Sequence, residues 1–224
     1  MTRLSIVLPV LDEAAGIVAT LQALAPLRGL GHEVVVVDGG SQDGTAALAT
    51  PHADRVIASP RGRARQMNAG AALAQGDVLL FLHADTTLPP DADALIGNAI
   101  QRGARWGRFD VSITGGAVMF PVIAALMNLR SRLTGIATGD QALFVERQLF
   151  RQLKGYADQP LLEDVELCCR LCVIAPPACL RQRVQTSGRR WLQRGVWRTI
   201  VLMWRLRWRY WRGEAAETLV RAYR

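Results

Sequence analysis

Three short apolar runs in this chain each stop at a carboxylate, and that repetition limits the fold more than any other feature. Ser5–Leu11 (SIVLPVL) ends in Asp12-Glu13, Val34–Val37 ends in Asp38, and Val78–Leu82 ends in His83-Ala84-Asp85. Runs of this length, rich in valine, isoleucine and leucine and bounded by glycine or polar residues, predict buried strands. Helical stretches between them, Ala14–Leu27 and Ala69–Ala74 among them, predict βαβ units whose parallel strands share one C-terminal sheet edge. Open α/β sheets bind ligands at that edge. Asp12, Asp38 and Asp85 would crowd together there, and like charges that close repel unless compensated. A divalent cation, with the hydroxyls and ring of a nucleotide, would compensate them.

The remaining segments extend the alternation. Arg55–Ser59 predicts a further strand, and Arg61-Gly-Arg-Ala-Arg-Gln-Met-Asn68 follows it into the alanine-rich helix. Arginines at alternate positions there could meet phosphate oxygens beside helix amides, or form a solvated basic loop. Ser41 is placed to cap the helix opened by Asp43-Gly44-Thr45. Asp91–Gln101 predicts a helix, Arg105–Thr114 a strand, Gly116–Leu133 an amphipathic helix, and Ala142–Val145 a short strand. Glu163-Asp164 then opens another helix, where acidic residues favour the macrodipole.

A chain of 224 residues suits one α/β domain with an appendage, divided here as 1–188 and 189–224. Charge supports the division. From Arg181 to Arg224 there are 12 arginines against Glu214 and Glu217, whereas residues 1–180 are slightly acidic. Five of the six tryptophans (191, 197, 204, 208 and 211) interleave with those arginines. Such a segment suits an interfacial membrane helix, or a helix packing its tryptophans inward and solvating its arginines. Cys168, Cys169 and Cys172 share one predicted helix, with Cys179 beyond; lacking a second pair or a nearby histidine, they predict reduced, buried thiols and no metal. No N-terminal signal peptide precedes the first strand, and the longest apolar stretch, Ala117–Met127, is too short for the ~20 residues of a membrane span. A cytoplasmic chain is expected, with the tail able to meet the inner membrane face.

Taken in order, Pro9-Val-Leu-Asp12-Glu13, VVVVDGGSQDGT, GRARQMNAGAALAQGD, FLHAD and LLEDVELCCRL resemble the family 2 glycosyltransferases, whose fold is the GT-A type. The GDQALF and RRW segments look like a bacterial subgroup found beside radical-SAM or selenium-domain proteins. The resemblance implies an α/β fold, a mixed, mostly parallel sheet flanked by helices, with the C-terminal helical tail added. It also implies a hexosyltransferase moving sugar from a UDP- or GDP-sugar to an acceptor hydroxyl with inversion.

Carried over position by position, the resemblance puts Pro9, Asp12, Glu13 and Asp38 at the nucleotide site. Arg65 and Asn68 would lie near the base or diphosphate. His83 and Asp85 occupy the family's Asp-x-Asp position, with Asp85 holding Mn²⁺ or Mg²⁺. A nitrogen ligand at His83 would favour Mn²⁺, or His83 would bond only to substrate. Asp164 would be the general base, supported by Glu163. Gly139, Asp140, Gln141, Arg190 and Trp191 would form the acceptor side. Processive members carry Gln-x-x-Arg-Trp; here Ser187 replaces the glutamine before Arg190-Trp191, which disfavours a polymer synthase. Two other readings stay open. A sugar nucleotidyltransferase would want a glycine-rich, arginine-containing loop after the first strand, where PVLDE stands. A basic membrane or nucleic-acid module would leave the carboxylate-ended strands without a purpose, which makes nucleic acid an improbable partner.

Overall fold

The four N-terminal strands form as expected: β1 (Leu4–Val10), β2 (Glu33–Asp38), β3 (Arg55–Ala58) and β4 (Val78–Phe81). They are joined by α1 (Ile17–Gly29), α2 (Thr45–Ala49) and α3 (Arg63–Leu73). The computed structural model describes residues 2–223. These strands lie parallel in the order β3-β2-β1-β4, with Val10 opposite Asp38 and Val7 opposite Phe81, so their C-terminal ends share one edge. β1, β2 and β4 are almost wholly buried on both faces, which is why they read as continuous apolar runs.

Beyond β4 the sheet becomes mixed. The later elements are β5 (Thr86–Thr87), α4 (Ala92–Gln101), β6 (Trp106–Thr114), α5 (Phe120–Thr134), β7 (Phe144–Glu146), α6 (Arg147–Gln152), α7 (Glu163–Ile174) and β8 (Ala178–Ser187). One eight-stranded sheet results, in the order β3-β2-β1-β4-β7-β6-β8-β5. β7 runs antiparallel to both β4 and β6, β8 lies parallel to β6, and β5 pairs antiparallel with β8. The expected strand at Ala142–Val145 begins two residues later, because Ala142 takes a left-handed conformation (φ 47°) that cannot continue a strand. The chain ends in α8 (Arg189–Arg194), α9 (Val196–Trp211) and α10 (Ala216–Tyr223).

Two apolar cores cover the sheet's two faces. One packs α1 and α4 against Ile6, Leu8, Val36 and Leu80; the other packs α3 and α7 against Val7, Val37, Leu79 and Val145. A third, small cluster joins Leu162 to Leu206 and Leu219, so the tail is seated on the residues just before α7. No helix among the described residues is long and apolar enough to cross a membrane. All four cysteines are free; only Cys168 is buried, and Cys169, expected inside, is exposed because it faces away from the sheet.

Candidate active site

The C-terminal edge of the parallel strands opens into a cleft of about 190 Å³ lined by Pro9, Glu13, His83, Ala84 and Asp85 on the sheet side. Arg63, from the first turn of α3, and Arg189, Arg190, Gln193 and Arg194 of α8 form its other wall. Beside it, Asp12 and Asp38 meet through one hydroxyl. Ser41 Oγ donates to the Asp38 carboxylate and accepts the Asp12 N–H at 2.9 Å. Asp38 also accepts the Gly40 and Ser41 N–H groups at 3.1 and 3.0 Å. Asp12 itself is left-handed (φ 53°) and accepts the Gln42 N–H at 2.8 Å. Ser41 is thus not a helix cap: Gly44 holds that position for α2, and Ser41 is spent on joining the two strand ends. Gln66, buried and not foreseen, ties the same two strands, donating to the Val10 and Val37 carbonyls at 2.8 Å each.

His83 stands between the strand edge and a tight turn at Gly139–Gln141. Its Nδ1 lies 3.3 Å from an Asp140 carboxylate oxygen. Its Nε2 faces Gly139, where an added Cβ would come within 2.3 Å. With His83 Nδ1 facing Asp140 and its Nε2 edge packed against Gly139, the exposed carboxylate at this strand end is Asp85. Its side chain has no hydrogen-bond partner among the described residues, while its carbonyl accepts the Ser187 N–H at 3.1 Å. The described residues contain no group of three or more metal-ligating side chains. One open carboxylate fits a hard cation whose remaining ligands are phosphate oxygens and water, the usual manner of holding Mg²⁺ beside a substrate diphosphate.

Across the turn, α7 opens with Glu163-Asp164, preceded by Leu162 in a left-handed conformation (φ 61°). The Gly139 N–H donates to Asp164 Oδ2 at 2.9 Å, and the Val165 N–H donates to Oδ1 at 2.8 Å. Desolvation raises the pKa of both carboxyls, and each feels a further push from a neighbouring carboxylate, Asp164 for Glu163 and Asp140 for Asp164. Asp140 goes the other way: desolvation opposes its charge, but the His83 hydrogen bond and the charges of His83, Arg63 and Arg190 hold its pKa below the ordinary range. Desolvation likewise works against the charge on Arg63, and the carboxylates of Glu163, Asp140 and Asp164 outweigh it, raising its pKa. Arg63 of the cleft wall is thus balanced by the carboxylates of Asp140, Glu163 and Asp164.

The structure does not bring every expected residue to this cleft. Arg65 turns outward and pairs with Asp158 at 2.8 Å; Arg63, two positions earlier on α3, takes the place expected for it. Asn68 also faces elsewhere. It donates to the Tyr156 carbonyl at 2.8 Å and accepts the Tyr156 N–H at 2.9 Å, fixing the loop that leads into α7. Gln141 is buried, its side chain accepting the Thr138 N–H at 3.3 Å. Trp191 is on α8 but off the cleft wall, whereas Arg190 lines it and donates to the Tyr223 hydroxyl at 3.0 Å. Arg189 pairs with Glu13 at 3.4 Å, and Arg194 donates to the Tyr223 carbonyl at 2.9 Å. Arg63 belongs to the alternate arginines at 61–65 that the sequence offers for phosphate contact, whereas Arg189 and Arg194 carry no such signal beyond the doublet at 189–190.

A family model described as glycosyl transferase family 2 matches residues 5–149. No curated protein matches the chain. Among solved structures, a mannosyltransferase from Pyrobaculum calidifontis in complex with GDP-Man and Mn²⁺ is 20% identical with a TM-score of 0.61, over 82% of this chain and 56% of that one. Glucosyl-3-phosphoglycerate synthase from Mycobacterium tuberculosis, in complex with Mn²⁺ and UDP-glucose, is 22% identical with a TM-score of 0.63, over 83% of this chain and 70% of that one. A mycobacterial protein is 23% identical with a TM-score of 0.60, over 83% of this chain and 65% of that one. The likeness is one of fold: the curled mixed sheet and its flanking helices have the GT-A arrangement of these structures.

Proposed function

The chain belongs to glycosyl transferase family 2, and on that premise we propose that it transfers a sugar from a UDP- or GDP-sugar to an acceptor hydroxyl, with inversion and with the help of a divalent cation. The observation that carries the reading is the pairing of an open carboxylate, Asp85, with a desolvated one, Asp164, on opposite sides of the His83–Gly139 contact. The Asp12–Ser41–Asp38 shelf takes the nucleoside, Asp38 nearest the base, while Pro9, Glu13 and Asp85 line the space for the diphosphate and sugar. Asp85 would hold Mn²⁺ or Mg²⁺. When bound, the cation offsets charge developing on the diphosphate leaving group.

Asp164 takes the proton of the attacking hydroxyl. A carboxylate with a raised pKa is a better proton acceptor than an ordinary one; burial raises that of Asp164, the Asp140 charge adds to it, and Glu163 stands beside it at the helix start. The two backbone donors fix its orientation. The hydroxyl attacks the anomeric carbon from the face opposite the diphosphate, so a single displacement inverts the centre, and no covalent nucleophile is required. Gly139 and Asp140 with Arg190 border the acceptor's approach, Gln141 and Trp191 supporting them from behind. Arg63 answers negative charge on the reacting groups.

Residues 1–188 serve as the transferase domain. Residues 189–224 form a basic, tryptophan-rich helical segment that closes one wall of the cleft and meets anionic lipid at the inner membrane face, near an acceptor held at that surface. Incubation with a panel of nucleotide sugars and Mn²⁺ or Mg²⁺, followed for nucleotide release, tests the reaction. Release confined to UDP- or GDP-sugars, and dependent on metal, is expected; release of pyrophosphate from a nucleoside triphosphate and a sugar phosphate would point to nucleotidyl transfer instead.

A further inference from the structure

Outside the cleft, two helices carry apolar faces that the fold leaves uncovered. α5 exposes Val122, Leu126, Leu129 and Leu133, spaced four, three and four residues apart, and Val118 just before it is 91% exposed. α9 repeats that spacing with Trp197, Val201, Trp204, Trp208 and Trp211, and Trp211 is 82% exposed. Both helices already have an inward side. Phe120, Ile123 and Ala124 of α5 are buried, and Leu202, Met203 and Leu206 of α9 pack at Leu162. The tryptophans thus point outward, opposite to the inward-packed arrangement considered from the sequence. The exposed stripes are second faces, and exposed apolar area on this scale marks an interaction surface.

The two stripes are linked. Gly188, immediately before α8, lies so close to the Phe120 ring that an added Cβ would come within 2.3 Å, and a Cβ at Gly115 would lie 3.5 Å from Leu192. Leu192 of α8 is itself half exposed. The start of α5 therefore packs at the Gly188–Leu192 segment, and that segment, which carries the α8 arginines of the cleft, leads through Gly195 into α9.

We propose that α5 and α9 together form one docking surface for an anionic bilayer, α5 inserting an aliphatic stripe and α9 its tryptophans at the headgroup level. Charge selects this occupant. Arg198 and Arg212 flank the tryptophan stripe with no ion pair among the described residues, Arg205 stands near Glu214, whose carboxylate is held by Arg209, and the Arg212 guanidinium lies 4.9 Å over the Trp208 ring. Two copies of the chain meeting through this face about a two-fold axis would set arginine against arginine. Anionic headgroups instead complement them, at roughly fivefold in partitioning per arginine near the surface. Docking of this kind turns the α8 wall toward the lipid, so the acceptor hydroxyl belongs to an amphiphile. The inference extends the tail contact proposed above by assigning α5 to the same surface, and it can fail without the transferase reading failing.

Flotation of the full chain with phosphatidylcholine vesicles, with and without phosphatidylglycerol, tests it alongside calorimetric nucleotide-sugar binding and size-exclusion chromatography with light scattering. The wild type should float only with phosphatidylglycerol and less so at high salt. Leu126→Asp/Leu129→Asp on α5 and Trp204→Ala/Trp208→Ala on α9 should each lower the bound fraction at least about tenfold, with circular dichroism and nucleotide-sugar affinity unchanged. An α5 variant that floats like the wild type would overturn the joint surface. So would a wild-type dimer that the α5 variant dissociates, or a wild type that never floats. Normal flotation without any nucleotide-sugar binding would sink the transferase reading and leave the surface intact.

Discussion

The backbone N–H of Gly139 donates to the Asp164 carboxylate at 2.9 Å, and the same glycine packs against the His83 ring. One residue thereby ties the α7 carboxylate proposed as the proton acceptor to the strand end that delivers Asp85. A side chain at position 139 has no room, since its Cβ would meet His83 Nε2 at 2.3 Å and Cε1 at 2.4 Å. Gly139→Ala should push His83 and the turn apart. Turnover should fall at least about tenfold, because small misplacements at a reacting centre are costly, while nucleotide-sugar affinity changes less. Steady-state kinetics beside calorimetry decides it; unchanged turnover would show that the contact does not position the site.

Asp164→Asn keeps the shape and the acceptor oxygen for Gly139 and removes the basicity. Nucleotide-sugar binding should survive, and turnover should drop by about 10²–10⁴-fold. A near-wild-type rate in the asparagine variant would reduce Asp164 to a structural acid at a helix start.

The raised pKa values of Glu163 and Asp164 have a stability consequence with a definite sign. Desolvation comes first for both; the Asp164 charge follows for Glu163, whereas for Asp164 the Gly139 and Val165 N–H groups oppose the shift before Asp140 adds to it. A folded pKa above the unfolded one gives stability that is fully present below the unfolded value and lost as pH rises through the folded value. Glu163→Gln removes that loss. Its melting temperature should match the wild type below the ordinary carboxylate range and exceed it increasingly toward neutral pH. A variant less stable than wild type at neutral pH would mean that the Arg63 attraction outweighs burial.

Asn68 and Arg65 separate a binding role from a structural one. Asn68→Ala breaks two hydrogen bonds to the Tyr156 backbone, one of them leaving a partly buried carbonyl unpaired, and should cost about 2 kcal/mol of stability. Nucleotide-sugar affinity should hold, as it should in Arg65→Ala, where only an exposed pair with Asp158 is lost. Denaturant unfolding and calorimetry on both variants check this; a large loss of affinity without loss of stability would return either residue to the nucleotide site.

What was legible in the sequence follows the range of the interactions. β1, β2 and β4 could be read because burial on both faces writes itself as a local apolar run, and the shared edge of Asp12, Asp38 and Asp85 follows from parallel pairing. Arg63 and Arg65 could not be separated. Two positions on a helix differ by about 200° in direction, and only contact with Asp158, some ninety residues on, decides which faces the cleft. The closing of the cleft by α8 rests on a still longer contact, Arg189 with Glu13, and on one to the end of the tail, Arg190 with Tyr223. In α9 the sequence separates an arginine-tryptophan side from a leucine-methionine side, but which one meets the domain depends on Leu162 and Leu219.

The role proposed for Asp85 is to join this chain to a metal-bound sugar nucleotide. Calorimetric titration of UDP-glucose and GDP-mannose into wild type and Asp85→Ala, each with Mn²⁺ and with chelator, tests it most directly. At least one donor should bind the wild type in a manner that needs Mn²⁺ and should bind about 100-fold more weakly, near 2.7 kcal/mol, to Asp85→Ala, with the fold intact by circular dichroism. Undiminished metal-dependent affinity in Asp85→Ala, or no donor bound by the wild type, would contradict it.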